Sequence, residues 1–278
     1  MIKKVKAPVR IDFAGGTTDI YPFTHTHGGA VLNAAINRYV TGSLNSDNKK
    51  VGLEYSGNIP TSSGLGTSGV MNLVWLALIS KIKDKKVLAE QVYGIEQAMG
   101  LVGGKQDQYA AAFGGINFLE FKKDKVNITQ LNLSKNFIRE LESKLVLVYM
   151  GTPHFSGHTN KLAIDNLKKG KNVENLIKLK QIAIDMKNAL LKKDLDRFAE
   201  LMNEETEQRD KLHKITIGVT ADKFIKKAGN NGAVAAKMCG SGGGGSLLFF
   251  THNKKRLKKA FGRSVIDFKF DFNGLKWL

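Results

Sequence analysis

The segment IPTSSGLGTSGVMNLVWLAL, residues 59–78, constrains the fold more than any other part of the chain. Small hydroxyl residues and glycines run straight into a helix so apolar that it reads as buried, and it needs neighbouring elements to cover it. Where that helix starts, Ser62, Ser63, Gly64, Leu65, Gly66, Thr67 and Ser68 offer backbone amides and a positive helix end. Such a start suits phosphate oxygens, although a plain turn with an N-cap has the same composition. The segment lacks the Gly-Lys-Ser/Thr ending of a Walker loop and the spacing of a dinucleotide fingerprint.

Downstream, GGKQDQYAAAFGG at residues 103–115 predicts a tightly packed helix beginning near Asp107, between glycines that permit sharp reversals. An acid at a helix start has a plain use as a cap. Eleven residues earlier, Glu96 lies in the last turn of another predicted helix, which ends at Gly100, and the intervening glycines allow the two carboxylates to sit close together. Ser68 and Glu96 supply a hydroxyl and a carboxylate, the hard oxygen donors that Mg²⁺ accepts beside phosphates. Asp107 is then available as a base for a hydroxyl nucleophile. Lys105, two residues before it, is expected to contact a phosphate or to hold Asp107 ionised.

Two further segments carry polar groups on sharp bends. In APVRIDFAGGTTDIYPF, residues 7–23, a strand delivers Arg10 and Asp12, then Gly15, Gly16 and Asp19 follow in a loop. Carboxylates there suit sugar hydroxyls and Arg10 suits developing negative charge, while an ordinary Asx-capped turn is the alternative. In KMCGSGGGGSLLFF, residues 237–250, the run containing Gly242 and Gly243 joins two strand-like segments. A simple hairpin does not need so many glycines, so close approach to a ligand or another loop is expected.

The rest of the chain divides into two α+β units, residues 1–143 and 144–278, without a linker, repeat or low-complexity tail. The first carries early strands and two helices. The second carries a helix-rich stretch, paired strands around the glycine run, and the final strand SVIDFKFDF. The net charge is +18, but the lysines are dispersed and no nucleic-acid fingerprint accompanies them, so no nucleic-acid partner is expected. No apolar span reaches membrane length. One cysteine, Cys239, and an N-terminus without secretory features point to a cytoplasmic protein.

Taken together, APVRIDFAGGTTD, PTSSGLGTS, the Glu96–Asp107 spacing and GSGGGG resemble the GHMP kinase superfamily over residues 7–250. Within it, the segments around Asp19 and Asp107 are most similar to the D-glycero-α-D-manno-heptose 7-phosphate kinases, relatives of galactokinase and fucokinase. The resemblance implies a domain like ribosomal protein S5 domain 2 followed by a ferredoxin-like domain, with ATP between them. It implies transfer of the γ-phosphoryl group to the anomeric hydroxyl of a heptose 7-phosphate, with Mg²⁺ on Ser68 and Glu96. Residues Ser62 to Ser68 become the phosphate loop, Arg10 the charge-stabilising group and Asp107 the base. Asp12, Gly15, Gly16, Asp19, Lys105, Gly242 and Gly243 are assigned to the substrate side. One departure stands out: HFS places His154 where relatives carry an arginine. A kinase of an unphosphorylated sugar is the first alternative, and an RNA-binding or sugar-sensing protein the second. The expected state is a monomer or homodimer.

Overall fold

The computed structural model describes residues 2–46, 51–151, 156–212 and 218–278. His154 lies outside them. The chain opens with β1 (Ile2–Ala14), α1 (Phe23–Thr26), β2 (Gly29–Ser46) and β3 (Val51–Gly57). Helices α2 (Thr67–Ile79), α3 (Lys85–Ala98) and α4 (Gln106–Phe113) follow, then β4 (Ile116–Lys122), β5 (Lys125–Gln130) and α5 (Lys135–Lys144). Beyond them come β6 (Leu145–Tyr149), α6 (Ser156–Lys168), α7 (Val173–Lys192), α8 (Leu195–Asp210) and α9 (Val219–Gly229). The last elements are β7 (Ala233–Met238), β8 (Ser246–Thr251), α10 (Lys254–Phe261), β9 (Val265–Ile266) and β10 (Lys276–Trp277).

Alternation along β1 explains its role. Val5, Ala7, Val9, Ile11 and Phe13 are fully buried. The intervening positions bring Arg10 and Asp12 to the opposite face, because residues two apart on a strand share a side. The long β2 pairs antiparallel with β1, β3 and β4, giving among the described residues a sheet in the order β10-β1-β2-β4-β5, with β3 also on β2. Helix α2 packs on β1 and β2 through Val70, Leu73, Val74 and Ala77. Asp84 caps α3 by accepting from Lys86 N and Val87 N, and Ser134 caps α5.

The second sheet runs β7-β8-β6-β9, also antiparallel. Between the sheets lies the α7–α8 hairpin: α7 packs against β1 and β2, and α8 against β7 and β1. Phe198 of α8 meets Phe13 of β1 edge-on at 5.4 Å and tilts against Phe250 of β8 at 6.4 Å, so one apolar core passes through both units.

A single division after residue 143 does not describe this arrangement. SVIDFKFDF does not form a continuous final strand in the second sheet; only Val265–Ile266 pairs there, with β6. The chain then crosses back, Phe270 bridges Ile36, and β10 pairs with β1 at Val5↔Trp277. Phe270 and Leu275 bury themselves in the first unit's core, which is what returns the chain to it. Among the described residues no helix is long and apolar enough to cross a membrane.

Candidate active site

A cavity of about 400 Å³ opens where the end of β1, the start of α2, the end of α3 and the start of α4 converge. From β1 and its loop it receives Arg10, Asp12, Gly16, Thr17 and Asp19. The loop into α2 contributes Ser62, Ser63, Gly64, Gly66, Thr67 and Ser68, while Glu96, Gln106, Asp107 and Gln108 come from α3 and α4. Three segments distant in sequence, each holding residues singled out from it, therefore share one space. From the second unit Asn160, Arg209, Gly240 and Ser241 complete the lining.

Arg10 is the hub. Its Nε and Nη2 both lie 2.7 Å from Asp107 Oδ1, and Nη1 donates to Gly64 O at 2.7 Å. Its backbone amide donates to Leu65 O, so one residue fastens the base candidate to the phosphate-loop candidate. Burial opposes the guanidinium charge, but the carboxylates of Asp107 and Asp12 together outweigh it and raise the arginine's pKa. Gly66 is the N-cap of α2 at φ 77°, a conformation that suits glycine, and a Cβ there would come within 3 Å of Asp107.

Glu96 is buried with both oxygens engaged: Asn72 Nδ2 donates to Oε1 at 2.7 Å and Gln108 Nε2 donates to Oε2. Burial raises its pKa, the two amides oppose that rise, and the charge of Asp107 adds to it. Ser68 stands on the same cavity wall in the first turn of α2. A hydroxyl and a carboxylate are a donor set that fits Mg²⁺, which takes most of its shell from phosphates and water. The buried Ser63 Oγ and Thr67 Oγ1 beside them lack a protein partner. The described residues hold no cluster of three or more His, Cys, Asp or Glu fit for a metal.

Asp19 is 3% exposed and accepts from Gln106 N through Oδ2 at 3.1 Å. Burial is the main cause that pushes its pKa up to about 6; the Gln106 amide opposes this, and Asp107 and Asp12 add to it. Gly104 lies so close that a Cβ there would meet Asp19 Oδ2 at 1.9 Å.

Lys105 does not join the cavity. Its ammonium donates to Glu90 Oε2 at 2.7 Å and to Asp124 O at 3.0 Å, beneath the Tyr93 ring. The contact with Asp107 expected of Lys105 is made by Arg10 instead, because residues two apart at a helix start point in different directions. Gly15 and Leu65 support from behind: a Cβ at Gly15 would strike Ala30 O at 2.0 Å, and Leu65 is wholly buried. Gly242 and Gly243 stand outside the lining. The glycine run serves another loop: Cβ atoms at Gly64 and Gly245 would lie 2.6 Å from Cys239 O and 2.7 Å from Ser63 O.

Three charged residues, Arg209 in the cavity wall with Glu205 and Lys237 beneath it, carry no clear mark in the sequence. Arg209 donates to Glu205 Oε1, Gly16 O and Thr17 Oγ1. Lys237 Nζ lies 3.4 Å from Asp12 Oδ2 and 3.3 Å from Glu205 Oε1. All four side chains, Asp12, Glu205, Arg209 and Lys237, are at most 1% exposed. The one signal available was Lys237, a lone charge in the small apolar strand AVAAKM. Glu205 and Arg209, four apart on a charged helix, read as a surface pair.

Comparison with known families matches residues 30–115 to the GHMP kinases N terminal domain and residues 186–263 to GHMP kinases C terminal. The chain belongs to the GHMP kinase family. Like this GHMP kinase, a D-glycero-alpha-D-manno-heptose 7-phosphate kinase of Campylobacter jejuni aligns end to end, 28% identical over 98% of both chains. The crystal structure of a D-glycero-D-manno-heptose 1-phosphate kinase from Bacteroides thetaiotaomicron superposes at TM-score 0.80 and 26% identity, covering 100% of this chain and 99% of that one. Lactococcus lactis galactokinase, 17% identical at TM-score 0.73 over 100% of this chain and 95% of its own, shares the fold. The GHMP kinase fold thus accounts for both α+β units and for the glycine loops meeting between them.

Proposed function

We propose that this GHMP kinase transfers the γ-phosphoryl group of ATP to the anomeric hydroxyl of D-glycero-α-D-manno-heptose 7-phosphate. The observation that carries the proposal is the Arg10–Asp107 contact, in one cavity with the loop at the start of α2 and with Asp19. The Campylobacter relative named for that sugar phosphate, aligned over the whole chain, supports the substrate.

In this reading Ser62 to Ser68 and the positive end of α2 receive the ATP phosphates. Ser68 and Glu96 would hold Mg²⁺, which when bound offsets charge on the phosphates. Asp107 accepts the proton of the attacking hydroxyl, and Arg10 orients Asp107 through one oxygen while placing positive charge beside the developing alkoxide. Asp19 accepts hydrogen bonds from sugar hydroxyls. Catalysis then rests on positioning and electrostatics, without a covalent enzyme intermediate.

The test is ADP release with Mg·ATP against heptose 7-phosphate, mannose, galactose, fucose and glucuronate, with phosphorus NMR of the product. The expected result is turnover of the heptose phosphate to a 1,7-bisphosphate. Preference for an unphosphorylated sugar would keep the kinase and overturn the substrate.

A further inference from the structure

We infer that the cavity floor at Gly16 is a subsite for hydroxyl groups on the acceptor's carbon chain, read by Gln106 and Asp12. The inference rests on the sugar-kinase reading and adds to it a specificity-determining residue, Gln106.

Gly16 sits in a bowl of polar side chains. A Cβ built on it would lie 2.5 Å from Asp12 Oδ2, 3.0 Å from Gln106 Nε2 and 3.2 Å from Arg209 Nη2. Any residue but glycine would fill the place where these groups converge. The other oxygen of each of the first two side chains, Asp12 Oδ1 and Gln106 Oε1, is buried without a hydrogen-bond partner. The Asp12 side chain is 1% exposed and Gln106 8%, and both residues line the cavity. A buried polar atom left unpaired is costly, so two on side chains that line one cavity point to a ligand that completes them.

The chemistry of that ligand follows from the atoms. A carboxylate oxygen and an amide carbonyl are acceptors, and they require O–H or N–H donors. Sugar hydroxyls supply such donors; a phosphate dianion brings acceptors and negative charge. Arg209, which reaches the bowl with Nη2, and Lys237 behind it are matched by Asp12 and Glu205, two cations against two carboxylates, so among these described residues the floor carries no net charge to attract an anion. The subsite therefore selects hydroxyls and turns a phosphate-bearing end elsewhere.

Gln106 is held so that its side chain can discriminate. Its backbone amide donates to Asp19 Oδ2 and its carbonyl accepts from Asn33 Nδ2. Those anchors use main-chain atoms and survive a change of side chain, so Gln106→Met, similar in length, removes the amide alone.

The experiment compares wild type with Gln106→Met on heptose 7-phosphate and its monodeoxy analogues, reading kcat/KM for each acceptor and KM for ATP. Wild type is expected to lose about tenfold or more against at least one deoxy analogue. Gln106→Met is expected to abolish that discrimination and to raise the acceptor KM about tenfold, with the ATP KM within about twofold and the melting temperature preserved. Asp12→Asn should relax discrimination against the same or an adjacent hydroxyl. The inference is overturned if Gln106→Met keeps the wild-type penalty against every analogue, or if the ATP KM rises in step. Should wild type turn over only an unphosphorylated hexose, the heptose assignment falls, and deoxy analogues of that hexose decide the subsite by the same criteria.

Discussion

Arg10 grips Asp107 through a single carboxylate oxygen, Oδ1, with Nε and Nη2 each 2.7 Å away. The other oxygen takes no part in that grip, which suits a base that must stay oriented and still receive a proton. Asp107→Asn is expected to lower kcat by about 10²–10⁴ with ATP binding retained, measured by ADP release and by nucleotide titration. Arg10→Lys keeps the charge and loses the planar fork, so kcat should fall by about 10² or more. The double variant should be little worse than Asp107→Asn alone; additive losses would sink the claim that the two act as a unit.

Acidity should act on the acceptor through Asp19. Its pKa, about 6 in the folded protein against an ordinary 3.8, makes it an acceptor-only carboxylate above pH 6. The acceptor KM is therefore expected to climb as pH drops below about 6, and Asp19→Asn should flatten that climb. For stability the sign is opposite. The folded state binds the Asp19 proton more tightly than the unfolded chain, so this contribution is complete below pH 3.8 and is lost as pH rises through 6. Asp19→Asn should thus stabilise the protein at pH 7.5 by up to roughly 2–3 kcal/mol and by little at pH 4. Urea denaturation at the two pH values checks it, and an equal effect at both would refute it.

Metal affinity should depend on the amides that hold Glu96. Gln108→Leu removes one of its donors and is expected to raise the Mg²⁺ concentration for half-maximal ADP release about tenfold. Mn²⁺ titration followed by electron paramagnetic resonance in the presence of ADP provides a readout free of turnover. An unchanged midpoint in both would remove Gln108 from the metal argument.

Substitution at Gly64 should be severe and at Gly103 mild. Gly64 has φ +76° and its Cβ would lie 2.6 Å from a backbone oxygen, whereas nothing lies within 4 Å of a Cβ at Gly103. Gly64→Ala is expected to cost at least about 1–3 kcal/mol from backbone strain, with further loss from the clash. Gly103→Ala should unfold within about 1 kcal/mol of wild type. Thermal scans of the pair decide between steric fit and a general intolerance of the cavity rim.

Breaking the buried cluster should cost more than dismantling it in balance. Lys237→Met leaves Asp12 and Glu205 short of one cation and is expected to destabilise by about 3–5 kcal/mol. Adding Asp12→Asn should recover part of that loss, a coupling that a double-mutant cycle in urea would expose. Strict additivity would mean that the contacts carry no shared energy.

Much of the site was legible because its parts are local. Glycines and hydroxyls before an apolar helix, an acid at a helix start, and an alternating strand ending in Arg-Ile-Asp each announce themselves within a few residues. What joins them is long-range and left little trace. Arg10 reaches Asp107 across 97 positions, and the nearer Lys105 is the wrong partner because helix geometry turns it away. Glu205 and Arg209 carry the signature of a solvated pair, yet β1 and β7 cover them. The return of the chain to the first sheet was equally hidden, since two residues of β10 are too few to show a period.

The glycine run and the loop before α2 fit together with no room for one methyl group on either side. Neither half of this kinase is an interchangeable part: a chimaera that takes its first half from one relative and its second from another inherits two surfaces shaped to different counterparts. Recombination between family members would have to carry both loops together, and so the pair is a unit of inheritance split across the chain.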